Sequence, residues 1–121
     1  MRIGRKITSG KYHKSRKKKK YELPGLERKV RLREIKKKKI RILGGGKKIV
    51  LLSADYANVF DPKTKKSKKV KINNVLETPA NKFLARENVL VKGAIIETEL
   101  GKARISNRPS QEGSVNAELL Y

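Results

Sequence analysis

From about residue 29 onward, apolar and charged positions alternate with a period of two. This is the pattern of strands that turn one face to a core and the other to water. Val30 and Leu32 alternate with Arg31 and Arg33, and Ile40 and Ile42 flank Arg41. Gly44-Gly45-Gly46 interrupts the pattern, and a β-branched and leucine-rich run over residues 47–53 resumes it. A hairpin turning on glycine is therefore expected. A short strand over 56–60 leads into Asp61-Pro62-Lys63-Thr64-Lys65-Lys66, whose residues favour turns and mark a loop tip. Residues 68–75 alternate again, with Val70 and Ile72 inward and Lys69 and Lys71 outward. Thr78-Pro79 has the form of a helix start, with Thr as N-cap and Pro at the first helical position. It predicts a short helix over 80–87 that buries Phe83 and Leu84. A strand over 94–100, a turn at Gly101, a partner strand over 102–107 and a loop over 108–113 follow. A last strand carries Val115, Ala117 and Leu119. Many short strands between Gly and Pro turns predict a mainly-β fold, a small β-barrel or closed sandwich with one short helix.

Residues 1–28 read differently. Their apolar residues (Met1, Ile3, Ile7, Tyr12, Tyr21, Leu23 and Leu26) are scattered without a period. Gly4, Gly10, Pro24 and Gly25 interrupt any regular element. Arg16-Lys17-Lys18-Lys19-Lys20 sets five adjacent cations in mutual repulsion. The expected organisation is an extended basic N-terminal tail over 1–28, ordered by a partner, and a small β-barrel domain over 29–121. Stretched out, such a tail spans about 90 Å, enough to thread into a large assembly.

Charge changes the picture more than any motif. The 121 residues carry 33 Lys and Arg against 11 Asp and Glu, a formal net charge of +22. Charged residues are 36% of the chain, against about 25% in an average soluble domain. Residues 1–48 hold 21 of the cations and 3 of the acids, whereas residues 77–121 hold 6 of each. A surplus of this kind repels itself, so a polyanion that neutralises it is the expected partner. There is no Cys, which excludes disulfide frameworks, zinc knuckles and thiol chemistry. The longest apolar run, Ile49-Val50-Leu51-Leu52, is far shorter than the ~18 residues of a membrane-spanning helix, so no membrane partner is expected.

Catalytic constellations are scarce. His13 is the only His and lies in the tail, without the rigid frame a base needs. Glu97 and Glu99 sit two apart on an expected strand, where a solvated face opposite Lys102 or Arg104 is a better reading than a metal pair. Asp55 and Asp61 flank a short strand as turn formers. Gly44-Gly45-Gly46-Lys47-Lys48 lacks the spacing of a phosphate-binding loop, and a strand rather than a helix follows it. No catalytic residue, metal, cofactor or small-molecule substrate is expected.

What remains is nucleic-acid contact. In the tail the candidates are Arg2, Arg5, Lys6, Lys11, His13, Lys14, Arg16, Lys17, Lys18, Lys19 and Lys20, with Tyr12 and Tyr21 placed among them to stack on unpaired bases. Beyond it are Arg28, Arg31, Arg33, Lys36, Lys37, Lys38, Lys39 and Arg41. Lys47 and Lys48 beside the glycine turn follow, then Lys63, Lys65, Lys66, Lys68, Lys69 and Lys71 of the second hairpin. Lysines neutralise phosphates with little sequence discrimination, and arginines add bidentate contacts and stacking. Charge alone does not separate RNA from DNA. An architectural DNA-compacting protein is the alternative, and a basic RNA-processing enzyme a weaker third.

The order of segments resembles the small-subunit ribosomal protein eight family of archaea and eukaryotes (the S-eight-e family), in its compact archaeal form. The resemblance runs through Gly4-Arg5-Lys6, Ser9-Gly10, the cationic block ending Tyr21-Glu22-Leu23, and Gly44-Gly45-Gly46-Lys47-Lys48. Its most specific stretches are Lys92-Gly93-Ala94-Ile95-Ile96 and Val115-Asn116-Ala117, the latter following Arg108-Pro109-Ser110-Gln111-Glu112-Gly113-Ser114. The resemblance implies a structural, cytoplasmic protein of the small ribosomal subunit. It would bind small-subunit rRNA beside neighbouring ribosomal proteins and would not form a homo-oligomer.

Overall fold

The period-two segments become strands in the computed structural model, which describes residues 4–13 and 16–121. Eight strands form: β1 (Arg31–Leu32), β2 (Lys36–Arg41), β3 (Lys47–Ala54), β4 (Tyr56–Asp61), β5 (Lys66–Glu77), β6 (Ile95–Thr98), β7 (Gly101–Ile105) and β8 (Asn116–Leu119). One short helix, α1 (Lys82–Arg86), lies between β5 and β6.

Strands β4 to β8 close into a five-stranded barrel. Neighbours run antiparallel except at the closure, where β4 and β8 pair in parallel with Asn58 opposite Asn116. Five strands leave a narrow interior, and the sequence fills it with small side chains. Ala57, Ala94, Ala103 and Ala117 are buried beside Val59, Val70, Ile72, Val75, Ile96 and Ile105.

The first hairpin stands outside this barrel. β3 sits at the centre of a three-stranded sheet in the order β1-β3-β2. The alternation predicts strands here but not which sheet they join. Val30, Leu51 and Ala54 reach into the same buried cluster as the barrel interior, so the two sheets share one core. The glycine turn forms as expected: Gly44 and Gly45 adopt φ of 78° and 80°, a region open to glycine without cost, and Ile42 N donates to Gly46 O at 2.8 Å.

Two expectations need correction. Plain alternation along β5 would turn Asn74 inward, yet Ile72, Val75 and Thr78 are buried while Asn74 is exposed. Shifts of register against β6 between Ile72 and Asn74, and again between Val75 and Glu77, reset the phase by one residue each. Because β5 carries its inward face on to Thr78, that residue is buried and does not cap the helix. Asn81 is the N-cap, and its side chain accepts from Phe83 N at 3.0 Å. The helix begins at Lys82 and has only five residues. It buries little: Phe83 is 68% exposed, and Leu84 is half-buried.

The loop over 108–113 is a structural joint. Pro109 is fully buried. Glu112 O accepts from Leu51 N at 3.2 Å, tying the loop to β3. Asn107 donates to Ser114 O and accepts from Asn116 N at 2.8 and 3.0 Å, which fixes the loop to the start of β8.

Candidate nucleic-acid interface

The tail carries local order that its composition hides. Arg5 and Lys11 pair across a tight turn, closed by Lys6 N to Gly10 O at 3.0 Å and by Ser9 N to Lys6 O at 2.9 Å. Ser9 turns the chain at φ 62°. This gathers Arg5, Lys6 and Lys11, with Lys6 Nζ 5.6 Å from the Tyr12 ring centre. Further on, Arg16 clasps Glu22 with Nη1 and Nη2 at 2.7 and 2.6 Å, and Lys19 N donates to the same carboxylate. These bonds stabilise the ionised Glu22 and hold its carboxyl below the usual range, Arg16 being the larger cause. One acid thus relieves the repulsion that the five-cation block sets up. His13, Lys17, Lys18, Lys19, Lys20 and Tyr21 remain exposed. Arg2 and Lys14 lie outside the described residues.

Where the tail meets the folded part, the cations divide by employment. Arg28 is half-buried and donates from Nε to Ser110 O at 3.2 Å, so it braces the joint loop. Lys29 and Arg31 approach Glu87 at 3.5 and 3.8 Å. With Arg33, Glu34, Lys36, Leu52 and Ser53 they line a cleft of about 380 Å³ that holds four cations against one acid. Lys29 is absent from the sequence-derived candidates. The signal was present, because 29, 31 and 33 share one face of an extended chain while Val30 turns to the core.

Strand β2 has its cations on both faces. Lys37 lies opposite Leu51 and Lys39 opposite Ile49, while Lys38 lies opposite Val50, so successive lysines alternate in direction. β2 is an edge strand, and Lys36, Lys37, Lys38 and Lys39 are all exposed. Lysine on an edge also deters strand-to-strand aggregation. Four in a row exceed that need and leave a comb of charge with open backbone groups beside it. Arg41 and Lys47 face each other across the hairpin, and Lys48 pairs with Ile40.

The second hairpin splits its lysines. Lys69 and Lys71 point outward opposite Asn58 and Tyr56. Lys66 and Lys68 share the inward face with Val59 and Val70 but precede Ile72, where the pairing of β5 with β6 begins. There they rim a mouth of about 420 Å³ with Asp61, Thr64, Leu100 and Leu119. Lys63 stacks its ammonium 3.5 Å from the Tyr121 ring centre, and Lys65 sits at the tip with φ 54°.

The acids behave as a structural set. Glu97 lies opposite Lys102 and Asn74 in the barrel wall, whereas Glu99 falls in the turn after β6 and shares no strand face with it. Among the described residues, no three of His, Asp and Glu gather as a metal site. Among them, too, no helix is long and apolar enough to cross a membrane.

Comparison with known proteins agrees with the earlier resemblance. A family model described as ribosomal protein S8e matches residues 1–120. The small ribosomal subunit protein eS8 of Sulfolobus acidocaldarius is 52% identical over 118 residues, covering 96% of this chain and 91% of that protein. Its namesakes in Sulfurisphaera tokodaii and Methanococcus aeolicus are 51% and 50% identical with the same coverage of both chains.

Proposed function

Since the chain belongs to the ribosomal protein S8e family, a family of ribosomal structural proteins rather than enzymes, we propose that it acts as a structural constituent of the small ribosomal subunit, binding small-subunit rRNA by its phosphate backbone and shape. The observation that carries this reading is the unmatched charge of the tail and β2. Among the described residues only Arg16, Lys29 and Arg31 form ion pairs with acids. Apart from Arg28, held on Ser110 O, the remaining described cations are available to phosphate.

In this reading the tail enters crevices between RNA helices and screens phosphate repulsion. The β2–β3 hairpin lies along helix backbones, and the outward lysines of the second hairpin meet RNA phosphates. Binding of this kind reads A-form geometry more than base sequence. The barrel positions the cations, and the part of the neutral segment over 77–121 that lies away from β4 is left for neighbouring ribosomal proteins. The protein sits there as a single copy in the cytoplasm, with no small-molecule substrate and no membrane.

Each phosphate contact releases bound counterions, so affinity falls steeply with salt. Titration of a structured small-subunit rRNA fragment between low and high salt tests this; an affinity indifferent to salt contradicts it. Competition between that RNA and duplex DNA at matched salt separates rRNA binding from DNA compaction. Equal preference would favour the latter.

A further inference from the structure

The core contains no aromatic ring. The chain has four Tyr and two Phe, and all six are exposed. Aromatic side chains carry large apolar surface and ordinarily anchor a small core. Two of these six stand together on one strand. Tyr56, Asn58 and Phe60 point outward from β4, while Ala57 and Val59 point into the barrel. Tyr56 is 42% and Phe60 40% exposed.

Resting on the reading of the chain as an rRNA binder, we propose that the outer face of β4 and β8 is a stacking platform for unpaired RNA bases. Tyr56 and Phe60 are about 13 Å apart along the strand, with Asn58 midway between them. Asn58 Nδ2 donates to Asn116 Oδ1 at 3.1 Å across the parallel closure. That bond leaves Asn58 Oδ1 to accept from, and Asn116 Nδ2 to donate to, the edge of a base. Asn58, Phe60, Ser106 and Asn116 line a shallow depression of about 630 Å³.

Charge chooses the occupant and its direction. Lys71 and Lys69 flank Tyr56 and Asn58 on the β5 side, and Lys69 Nζ lies 4.8 Å from the Tyr56 ring centre. Glu118 flanks Phe60 on the β8 side. A polynucleotide strand therefore runs its phosphates along β5 and lays its bases over β4 toward β8. A protein partner would need acids for the lysines but would gain little from two separated rings with an amide pair between them. A paired RNA helix hides its base faces and offers nothing to stack.

The test uses the full chain and three probes: a 12-nucleotide oligoadenylate, an abasic ribose-phosphate strand of equal length, and a 12-base-pair RNA duplex. The double substitution Tyr56→Leu and Phe60→Leu keeps the charge and the strand; Tyr56→Phe with Phe60→Tyr keeps the rings. The leucine variant is expected to lose about tenfold or more in affinity for oligoadenylate. Its affinity for the duplex and the abasic strand should stay within about twofold, with the salt slope unchanged because no cation is removed. The ring-retaining variant should match the wild type. A leucine variant with a native circular dichroism spectrum and undiminished oligoadenylate binding overturns the platform, as does an equal loss on all three probes. Should the wild type also fail to bind the duplex, the rRNA reading itself falls; tight duplex binding with no effect of the rings removes only the platform.

Discussion

Tyr121 donates its phenolic hydrogen to the carboxylate of Asp61, 60 positions earlier, and fastens the segment after β8 to the base of the second hairpin. Asp61 also accepts from Thr64 Oγ1 at 2.7 Å and from Lys63 N at 2.9 Å. Donors aimed at the ionised form hold its carboxyl down at about 2, with Tyr121 the largest cause and Thr64 next. The same bond raises the phenol of Tyr121.

The pH dependence follows from these directions. Asp61 titrates below its unfolded value of about 3.9, so its contribution is complete above that pH and is lost as pH falls through about 2. Tyr121 is raised, so its contribution holds below an unfolded value of about 10 and is lost as pH rises through the higher folded value. Tyr121→Phe should move the Asp61 titration upward, though not fully, since Thr64 and the Lys63 amide remain. Carboxyl-carbon NMR measures this; an unmoved Asp61 midpoint would show that the bond does not form.

The two sheets share their core through Leu51, which has no exposed surface, and whose amide bonds the joint loop at Glu112. Leu51→Ala should cost about 2–5 kcal/mol, the range for a buried leucine emptied to a cavity. Ile49→Ala, two residues back on the same face and 45% exposed, should cost about 1 kcal/mol or less. Urea unfolding of both variants decides whether sheet and barrel unfold together. Two separated transitions in Leu51→Ala would mean that the shared core is weaker than its burial implies.

How far the sequence foretold this depends on what each signal measures. Alternation reports which face of a segment is buried, and so it located the strands and the inward Val70 and Ile72. It does not report pairing partners, and so it missed that β1, β2 and β3 leave the barrel. It assumes an unbroken phase, so the bulges of β5 hid the burial of Thr78 and displaced the helix cap to Asn81. Charge counts identified the cations but not their neighbours. The pairing of Arg31 with Glu87, and of Arg28 with Ser110 O, depends on contacts between residues 56 and 82 positions apart. Tyr56 and Phe60 read as ordinary strand residues until the barrel showed which face is wet.

Glu87 restrains two cations at the cleft, Lys29 at 3.5 Å and Arg31 at 3.8 Å. All three side chains are about half exposed, so the pairs add little stability, on the order of 0–1 kcal/mol. Glu87→Gln removes an acid from a surface proposed to meet phosphate and frees both partners. RNA affinity should rise several-fold, with a steeper salt slope and an unchanged melting midpoint. Filter binding at three salt concentrations measures it; weaker binding in the variant would show that Glu87 orients the cations rather than sequestering them.

Removing residues 1–28 weighs the tail against the fold. Among the described residues, the bond from Arg28 Nε to Ser110 O is the one hydrogen bond that joins residues 4–28 to the remainder. Its loss should cost about 1 kcal/mol, partly offset by relief of self-repulsion, since the segment holds 11 of the 33 Lys and Arg residues. The truncated chain should keep the β spectrum and a cooperative melt. Its RNA affinity should drop by orders of magnitude at low salt, and its salt slope should shrink by several units, because each lost phosphate contact removes about 0.7–0.9 from it. The slope separates two ways of losing affinity. A tail that only positioned the barrel would leave the slope of the remaining contacts intact, whereas a tail that itself neutralises phosphate takes its share of released counterions with it. If the truncated chain loses its β spectrum, residues 1–28 belong to the fold and the boundary at residue 29 is wrong.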